Sequence, residues 1–542
     1  MRCYGNFPKE GIYWFLLLWL AAIVVFGSDL GGVPLRDWDE GIVAQVARDI
    51  YQSTSWEGWL YPTIGDAPYF NKPPLFHWLV ALTYSVAGVG EATTRFPGAM
   101  LAAFSVPMVY AVGKEIFARS TPAILAAWVY LTLLPVVRHG RLAMLDGAVA
   151  CFWLLLLWCL LRSRRDLRYT LGVGLSLGSI GFTKGIVAVL LATIAGGFVF
   201  WDTPRLLRSR YLWVGVCLGV APVLIWYLAQ WQHYGSQFSE TLQTQFWERL
   251  WQPVENHAGP PWYYVGELVK YTFPWLLFFP DGIILSWQNR LLSWGKLILV
   301  WTGGYFLAIS LMGTKLPWYL YPFFGGLALA VGVSLAEIWE SWTLSEEIAA
   351  KSKPQQANRW GYRRYVGMGF LLLLAVAGWG SSVYFAFFAS PTETDSLLPL
   401  TTGAIGLTMS GTVWLLWQYN RQFILVLGWG MYVALVLFVH SDIWLWELNE
   451  AYPVKPVAEI IQKHTPANAT IYTSYPYHRP SLNFYSDRTV IPKPLPQLQK
   501  YWQQTPHPYL LVEKPIPQNL ELPRTLLLDT AEGWQLITKL PQ

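Results

Sequence analysis

Charged residues are scarce in this sequence. Only 13% of its 542 residues are Asp, Glu, Lys or Arg, whereas soluble domains average about 25%. Hydrophobic residues make up 54% of the chain, and the mean hydropathy is +0.32. This composition excludes an ordinary soluble domain and predicts that most of the chain lies in lipid. The net charge of +5 is modest and indicates no nucleic-acid partner.

Cysteine is also rare, with four residues in all. Cys3 lies at the N-terminus, and Cys151, Cys159 and Cys217 lie inside apolar runs. No CxxC or Cys/His spacing occurs, so the sequence indicates neither a disulfide framework nor a zinc site. We interpret these cysteines as small hydrophobic side chains.

Internal repeats and nucleotide-binding loops are lacking as well. Gly172, Gly174 and Gly178 precede no strand, so they do not form the turn that cradles a nucleotide phosphate. Close packing between helices is the better interpretation of these glycines. A lipid-linked substrate is therefore favoured over a nucleotide sugar.

What the sequence does contain is long apolar runs. A membrane-spanning helix needs about 20 apolar residues, and roughly thirteen runs qualify. They lie near 11–28, 95–113, 121–137, 143–161, 168–182, 185–201, 211–231, 263–286, 296–312, 318–338, 365–388, 397–418 and 422–441. The first run resembles a signal peptide but lacks a small-x-small cleavage site, so we expect an uncleaved helix.

Basic residues between the runs predict the topology, because short cytoplasmic loops collect Lys and Arg. The cationic loops all fall on one side if the shorter apolar stretch 75–89 does not span. We therefore expect 75–89 to lie on or dip into the outer surface. The N-terminus is then cytoplasmic, and the loops 29–94 and 232–262 are extracytoplasmic.

The composition changes near residue 442. Beyond it, Pro, Asn, Gln and Lys increase, apolar runs shorten to strand length, and Val457 to His464 forms an amphipathic helical pattern. The sequence thus predicts two domains. A transmembrane domain spans 1–441 and includes the first outer loop, 29–94, and a small extracytoplasmic α/β domain spans 442–542.

Several cations lie on the predicted outer face, against the usual charge preference of translocated segments. A cation inside a spanning helix costs about 2.5–3.5 kcal/mol at the bilayer centre, so a set of them near helix ends suggests a shared anionic partner. The alternative is a set of internally paired or snorkelling side chains. The cations are Lys72, Arg138, Arg141, Lys184 and Lys315.

Acidic residues also lie on the predicted outer face of the membrane. Asp39 in the first outer loop is a candidate general base for a hydroxyl. Together with Glu40 it is also a candidate metal ligand, although one acidic pair without a third ligand supports no particular metal. We therefore predict no required cofactor. Asp146, at the mouth of the fourth apolar run, is the other candidate acid.

These groups suit one reaction at a membrane surface. A sugar on a polyprenyl phosphate has a phosphate leaving group, which cations stabilise, while an acceptor hydroxyl needs a base. The lipid tail confines this reaction to the interface. A transporter or flippase of an anionic substrate remains the alternative function, although it is typically built from internal repeats. A non-catalytic scaffold that binds envelope polymers is a second alternative.

Short motifs give a more specific resemblance. Asp39-Glu40 is followed by Trp59-Leu60-Tyr61-Pro62 and by Tyr69-Phe70-Asn71-Lys72-Pro73-Pro74-Leu75. Over about residues 10–340 the chain resembles the GT-C class of lipid-linked glycosyltransferases, in the branch of aminoarabinose transferases and bacterial protein mannosyltransferase-like enzymes. Asn71 stands where the aminoarabinose branch usually has Glu. The sugar and the acceptor therefore stay open.

The resemblance implies a GT-C fold of about a dozen spanning helices, in a bacterial inner (plasma) membrane. It implies that Asp39, supported by Glu40, and Asp146 are the catalytic acids. Lys72 would contact the phosphate of a polyprenyl-phosphate-linked sugar, with an envelope lipid, glycan or protein as acceptor. Further residues are assigned to the donor site (Arg138, Arg141, Lys184, Lys315, Tyr319) and to acceptor or sugar contact (Tyr69, His257, Tyr263).

Overall fold

The computed structural model describes residues 9–65, 67–253, 257–349, 361–389, 395–446, 452–516 and 519–540. The chain divides into two compact units. Unit 1 consists of the residues up to Leu30, Phe70–Phe76 and Gly98–Trp444. Unit 2 consists of Gly31–Tyr69, His77–Pro97 and the residues from Leu445 onward.

Unit 1 is helical, because a chain in lipid must satisfy its backbone N–H and C=O groups internally. Its α-helices are Lys9–Gly27, Glu91–Ile116 (which starts in unit 2), Thr121–Leu131, Leu134–Arg141, Leu145–Arg162, Tyr169–Lys184, Val187–Asp202, Arg210–Tyr234, Ser236–Leu242, Arg249–Trp251, Tyr263–Tyr271, Phe279–Gln288, Ser293–Leu299, Tyr305–Leu311, Phe324–Ala349, Gly361–Phe387, Leu398–Trp417 and Phe423–Val439. Three 3₁₀ segments, Pro204–Arg208, Trp275–Phe278 and Pro317–Phe323, and two π segments, Gln243–Glu248 and Val300–Gly304, connect or extend them.

Within the described residues, seven helices are long and apolar enough to cross a membrane, and two bent helix pairs raise that number to as many as nine. One pair, Thr121–Leu131 with Leu134–Arg141, bends by 58°, and the other, Tyr263–Tyr271 with Trp275–Gln288, bends by 116°. The multi-pass helical fold predicted from the sequence is confirmed. The count of thirteen spans stays a prediction.

The helix that covers most of the stretch 75–89 is short. Leu75–Ala87 has 13 residues, which at about 1.5 Å per residue gives a length of roughly 20 Å. The hydrocarbon core of a bilayer is about 30 Å thick. A helix of this length fits the predicted non-spanning position of the stretch.

Glycines bring two helices of unit 1 into backbone contact. A Cβ atom on Gly174 would lie 1.9 Å from the carbonyl carbon of Gly215, and one on Gly178 would lie 2.0 Å from the oxygen of Gly219. Only glycine permits this approach between Tyr169–Lys184 and Arg210–Tyr234. The packing interpretation of Gly174 and Gly178 is confirmed, and the contact fixes the helix that ends at Lys184.

Unit 2 contains a five-stranded mixed sheet in the order β4-β3-β5-β7-β6. The central strand β3 is parallel to β4 and β5, and β7 is antiparallel to β5 and β6. A two-stranded hairpin, β1-β2, lies in the first loop. The strands are β1 Thr63–Ile64, β2 Ala67–Pro68, β3 Thr470–Thr473, β4 Thr489–Pro492, β5 Tyr509–Glu513, β6 Thr525–Ala531 and β7 Trp534–Lys539.

Helices from the C-terminal residues of unit 2 pack on this sheet, and the remaining helices of unit 2 lie in the first loop. The amphipathic helix Val454–His464 buries Val457 and Ile461 against Ile471 and Leu511 of the strands, and this small α/β fold confirms the sequence prediction. The other helices are Glu40–Gln52, Trp56–Leu60, most of Leu75–Ala87, Pro480–Ser486 and Leu495–Gln504. The unit boundary at Leu445 lies close to the composition change at 442. The grouping of the first loop with the C-terminal residues was not foreseen.

Candidate active site

Three of the predicted site residues meet in unit 1. The Nζ of Lys184 donates a hydrogen bond to Oδ1 of Asp146 at 2.6 Å, and only 13% and 6% of the two side chains are exposed. Asp146 lies in the first turn of Leu145–Arg162, and Lys184 ends Tyr169–Lys184. The ring of Tyr319 lies 5.8 Å from the Lys184 ammonium, within cation–π range. We call these three residues the Asp146 cluster.

The backbone around Tyr319 is fixed by a second tyrosine. The Tyr305 hydroxyl donates a hydrogen bond to the Tyr319 carbonyl at 2.8 Å, and Tyr305 is buried. Tyr319 lies in the 3₁₀ segment Pro317–Phe323, while its side chain stays partly exposed. The ring therefore has a defined position without being sealed inside the protein.

Lys315 has a structural role in this geometry. Its Nζ donates to the carbonyls of Ile309, Ser310 and Met312, at 3.1, 2.6 and 2.6 Å. These carbonyls close the C-terminal end of Tyr305–Leu311, where a cation is favourable. Burial lowers the pKa of the Lys315 ammonium. Because the three N–H groups are used by carbonyls, capping is favoured over phosphate binding.

Lys315 is contacted by residues from the second predicted outer loop, 232–262, and from the helix that follows it, Tyr263–Tyr271. The N–H of Lys315 donates to the His257 carbonyl at 2.9 Å, and the ammonium lies 5.6 Å from the Tyr264 ring. Tyr263 packs edge-on against Tyr264 and stays half-buried. His257 is exposed. His257 and Tyr263 thus lie beside Lys315, and their assignment to sugar or acceptor contact stays a prediction.

Arg141 is buried among backbone carbonyls. Its guanidinium donates to Val25 and Ser28 at 2.6 and 2.7 Å, and more weakly to Asp29 and Val439. The guanidinium carbon Cζ of Arg141 also lies 4.8 Å from the centroid of the Trp444 ring. An Arg in these contacts joins the end of one helix to another, so a structural role is favoured over donor binding. Nearby, Arg138 donates to the Trp444 carbonyl at 3.3 Å.

Lys72 lies in the short segment Phe70–Phe76 of unit 1. Its Nζ is 3.4 Å from the side-chain oxygen of Gln245, at the long end of hydrogen-bond range. Phe70 packs against Tyr234 and Phe238 and anchors the segment. The assignment of the half-buried Lys72 to the donor phosphate stays a prediction.

Asp39 and Glu40 belong to unit 2, where they have different environments. Glu40 is fully buried, and its two oxygens accept from Arg95 at 2.8 Å each. The Arg36 N–H adds a further hydrogen bond to Glu40. Asp39 keeps 26% of its side chain exposed and lies 3.5 Å from the Arg36 guanidinium. Glu40 therefore supports the loop, and Asp39 is the accessible carboxylate.

Tyr69 also belongs to unit 2, and it is buried. Its ring packs edge-on against His77, with 5.3 Å between ring centroids. Burial raises the pKa of its hydroxyl. Packing explains this position as well as substrate contact does. Because Asp39 and Lys72 belong to different units, their convergence stays a prediction.

The described part of the chain contains no group of three or more His, Cys, Asp and Glu side chains arranged to hold a metal ion. In particular, the oxygens of Glu40 are engaged by Arg95 and Arg36. The Asp39-Glu40 pair is therefore poorly suited to bind a metal as a pair.

Two arginines with clear structural roles were missed in the sequence. Arg95 holds Glu40 and also donates to the carbonyls of Val33 and Pro34. Arg479 binds Asp37 in the first loop. The motif Arg95-Phe96-Pro97-Gly98 was a visible signal for Arg95, whereas nothing near Arg479 in the sequence indicates a partner 442 residues away.

Comparisons with known proteins bear on this geometry. Residues 71–226 match the family described as dolichyl-phosphate-mannose-protein mannosyltransferase. An undecaprenyl phosphate-alpha-4-amino-4-deoxy-L-arabinose arabinosyl transferase from Pseudomonas fluorescens is 28% identical over 55% of this chain. The Pectobacterium atrosepticum enzyme of that name is 26% identical over 75% of this chain and 72% of its own length. The match spans 55% of the Pseudomonas protein, about half its length.

Solved structures share the fold. ArnT from Cupriavidus metallidurans, in a crystal structure bound to undecaprenyl phosphate, superposes with a TM-score of 0.75 at 16% identity. That superposition covers 99% of this chain and 100% of ArnT. The Archaeoglobus fulgidus oligosaccharyltransferase AglB gives a TM-score of 0.54 at 11% identity, over 93% of this chain and 69% of AglB.

The chain is therefore a multi-pass membrane protein with the GT-C fold of ArnT. Its sequence is similar to polyprenyl-phosphate glycosyltransferases, and in particular to aminoarabinose transferases. The family resemblance predicted from the first-loop motifs is thereby confirmed.

Proposed function

We propose that the protein transfers a sugar, of the pentosyl type, from a polyprenyl-phosphate donor to an envelope lipid, glycan or protein. The observation that carries this proposal is the Asp146 cluster, a nearly buried Lys–Asp pair beside a tyrosine ring, in a chain with the fold of ArnT. The names of the relatives suggest an undecaprenyl-phosphate-linked 4-amino-4-deoxy-L-arabinose as the donor.

The reaction needs two kinds of protein group. The acceptor oxygen attacks the anomeric carbon, and the bond from that carbon to the phosphate oxygen breaks. The donor phosphodiester carries one negative charge, and the released polyprenyl phosphate gains a second. Cations that bind this phosphate stabilise the transition state more than the bound donor, which is the requirement for catalysis.

We assign the phosphate to Lys72 and Lys184. Lys184 lies in the Asp146 cluster, where its ammonium contacts Asp146 and the Tyr319 ring, and an ammonium has three N–H donors. Lys72 belongs to the first-loop motif that carries the family resemblance, and its ammonium is half-buried. Arg141 and Lys315 belong to the same set of cations on the predicted outer face, but their N–H groups donate to backbone carbonyls. We therefore assign them to stabilising the helices around the site.

We assign the acceptor proton to Asp39. An alcohol must lose its proton as it attacks, and a carboxylate within hydrogen-bond reach can accept it. A phosphate acceptor is already ionised and needs no base. An Asp39→Asn variant therefore separates the two classes: it loses transfer to a hydroxyl and keeps transfer to a phosphate.

The topology proposal follows the charge pattern of the loops. We propose a cytoplasmic N-terminus and an extracytoplasmic C-terminal domain in the bacterial inner membrane. In spheroplasts of a Cys217→Ala background, an impermeant maleimide should label Glu521→Cys in the C-terminal domain and not Arg119→Cys in a predicted cytoplasmic loop. The reverse labelling would overturn the orientation.

The activity test uses purified protein and two radiolabelled donors, undecaprenyl phosphates carrying 4-amino-4-deoxy-L-arabinose or mannose. Bacterial envelope lipid extract supplies the acceptor, and released undecaprenyl phosphate is measured. Transfer from the aminoarabinose donor, lost in Lys184→Gln and kept in Lys270→Gln, supports the proposal. Lys270 is a matched control because its ion pair with Glu267 leaves 62% of the lysine side chain exposed. Consumption of neither donor would refute it.

A further inference from the structure

The C-terminal residues of unit 2 hold the first loop next to Asp39. Asp37, two residues before Asp39, accepts a hydrogen bond from Nε of Arg479 at 2.5 Å. Its other oxygen accepts from the backbone N–H of Ser481 at 3.3 Å and from the Ser481 hydroxyl. Both oxygens of one carboxylate in the loop are thus bound by the C-terminal domain.

Arg479 is itself held firmly. Only 5% of its side chain is exposed, and it donates to the Tyr452 carbonyl at 3.2 Å. Its guanidinium stacks over the Tyr452 ring at 4.0 Å. Burial alone would lower the pKa of this arginine, but the neighbouring Asp37 carboxylate raises it, so Arg479 stays charged. The guanidinium therefore offers Asp37 a fixed positive partner.

The backbone between Asp37 and Glu40 has a strained turn. Trp38 has a φ of +62°, in the left-handed region that non-glycine residues rarely adopt. The Asp39 N–H donates back to the Asp37 carbonyl at 2.7 Å. Such a conformation persists only where its surroundings enforce it. Here Arg479 and Ser481 hold one side of the turn, and Arg95 holds Glu40 on the other.

The helix that follows this turn, Glu40–Gln52, makes two more contacts with the C-terminal residues. A Cβ atom on Gly41 would lie 2.7 Å from the Ser481 backbone nitrogen, so Glu40–Gln52 and Pro480–Ser486 approach at glycine distance. About two turns further along Glu40–Gln52, Arg48 donates to the Phe484 carbonyl at 2.9 Å and forms an ion pair with Asp487. The helix that follows Asp39 therefore packs along the C-terminal domain over much of its length.

We propose that Arg479 is a positioning residue for Asp39, so that the C-terminal domain sets the geometry of the acceptor base through Asp37. This inference rests on the proposed function, since it gives Asp39 the role assigned above. Arg479 acts through Asp37 and the strained turn, and it need not contact the substrate itself. Near-attack geometry is demanding, and a displacement of about 1 Å can cost on the order of 100-fold in rate.

The test is a set of kinetic measurements on the full-length protein with the aminoarabinose donor and envelope lipid extract. Arg479→Gln should lower kcat by about 10- to 100-fold while the KM for the donor stays within about twofold of wild type. Arg479→Lys, which keeps the charge, should restore part of the kcat. Asp37→Asn should give a similar loss, and the Asp37→Asn/Arg479→Gln double variant should lose little more than either alone.

Arg488→Gln is the matched control. Arg488 lies in the same domain and makes its hydrogen bonds to Thr465 and to the Asp487 carbonyl. Its loss should leave kcat near wild type and add independently to Asp37→Asn. If Arg479→Gln yields no folded protein, Ser481→Ala tests the same contact, with a smaller kcat loss expected.

The outcomes separate this inference from the proposed function. If Asp39→Asn is inactive but Arg479→Gln and Ser481→Ala match Arg488→Gln in kcat, the positioning role is wrong while the base assignment stands. If Asp39→Asn is fully active, either the acceptor is an ionised phosphate or Asp39 is not the base, and in both cases the positioning role of Arg479 is overturned. A rise in donor KM with unchanged kcat in Arg479→Gln would also overturn the positioning role.

Discussion

Lys184 and Asp146 form a nearly buried ion pair, with 2.6 Å between Nζ and Oδ1, although 38 residues separate them in the sequence. Helix Tyr169–Lys184 brings the lysine to this position by packing its glycines against Arg210–Tyr234. A charged pair with so little exposure is costly to maintain for stability alone, because a hydrophobic pair of similar volume often serves as well. This supports a functional reason for the pair.

Breaking the pair should destabilise the protein as well as inactivate it. Lys184→Gln leaves Asp146 buried without its cation, and loss of one partner of a buried pair costs about 3–5 kcal/mol. Thermal unfolding in detergent should show a lower Tm for Lys184→Gln, with partial recovery in Lys184→Gln/Asp146→Asn. Activity should stay absent in both. Recovered activity in the double variant would contradict the assigned role of Lys184.

Lys72 should affect donor binding rather than folding. Lys72→Gln removes the charge that we assign to the donor phosphate but keeps a side chain of similar length that can still form hydrogen bonds, so the Tm should change by only a few degrees. A hydrogen bond to a charged group contributes about 1.5–3 kcal/mol, and the donor kcat/KM should fall by at least tenfold. Gln245→Ala serves as the control for the local contact. A variant with unchanged kcat/KM would remove Lys72 from the donor site.

Lys315 should show the opposite behaviour. Lys315→Met leaves the carbonyls of Ile309, Ser310 and Met312 without their donor, and a buried polar group without its partner costs about 1–3 kcal/mol. The Tm should fall, while the donor KM of the remaining folded protein should stay near wild type. Lys270→Met provides the exposed control. A large rise in donor KM at unchanged Tm would restore Lys315 as a phosphate ligand.

Gly174 should tolerate no side chain. Gly174→Ala places a Cβ atom on the backbone of Gly215, so the two helices must separate, and overpacking of this kind costs about 1–3 kcal/mol or more. The yield of monodisperse protein on size-exclusion chromatography should drop. Sugar transfer should drop as well, because the helix that positions Lys184 is displaced. Gly196→Ala is a matched control, since a Cβ atom there meets nothing within 4 Å.

Parts of this architecture follow from local patterns. The stretch 75–89 was predicted not to span because every later cationic loop otherwise changes side. The structure gives a helix of only 13 residues there, which agrees with that position, although the position itself stays a prediction. Gly174 and Gly178 were predicted to pack helices because they precede no strand. Amphipathic periodicity predicted a helix from Val457 to His464, and the observed helix, Val454–His464, begins three residues earlier. Each of these features depends on residues close together in the chain or on a repeated loop pattern.

The roles of the cations could not be predicted in the same way. Arg141, Lys184 and Lys315 all break the charge preference of the predicted outer face, and sequence alone gives no partner for any of them. The structure gives Lys184 a carboxylate and gives Arg141 and Lys315 backbone carbonyls. Phosphate and a carbonyl at a helix end both attract a cation, so only three-dimensional proximity distinguishes them.

The contact between Asp37 and Arg479 has a consequence for biosynthesis. The two residues are 442 positions apart, and ribosomes add about 5–20 residues per second, so Asp37 leaves the ribosome on the order of 20–90 s before its arginine exists. During that interval the contacts of Arg479 that help to enforce the strained turn at Trp38 do not exist, so the nascent chain is free to relax out of it. A message truncated just upstream of codon 479 would therefore encode every predicted membrane span and still yield a protein whose Asp39 was never set in place.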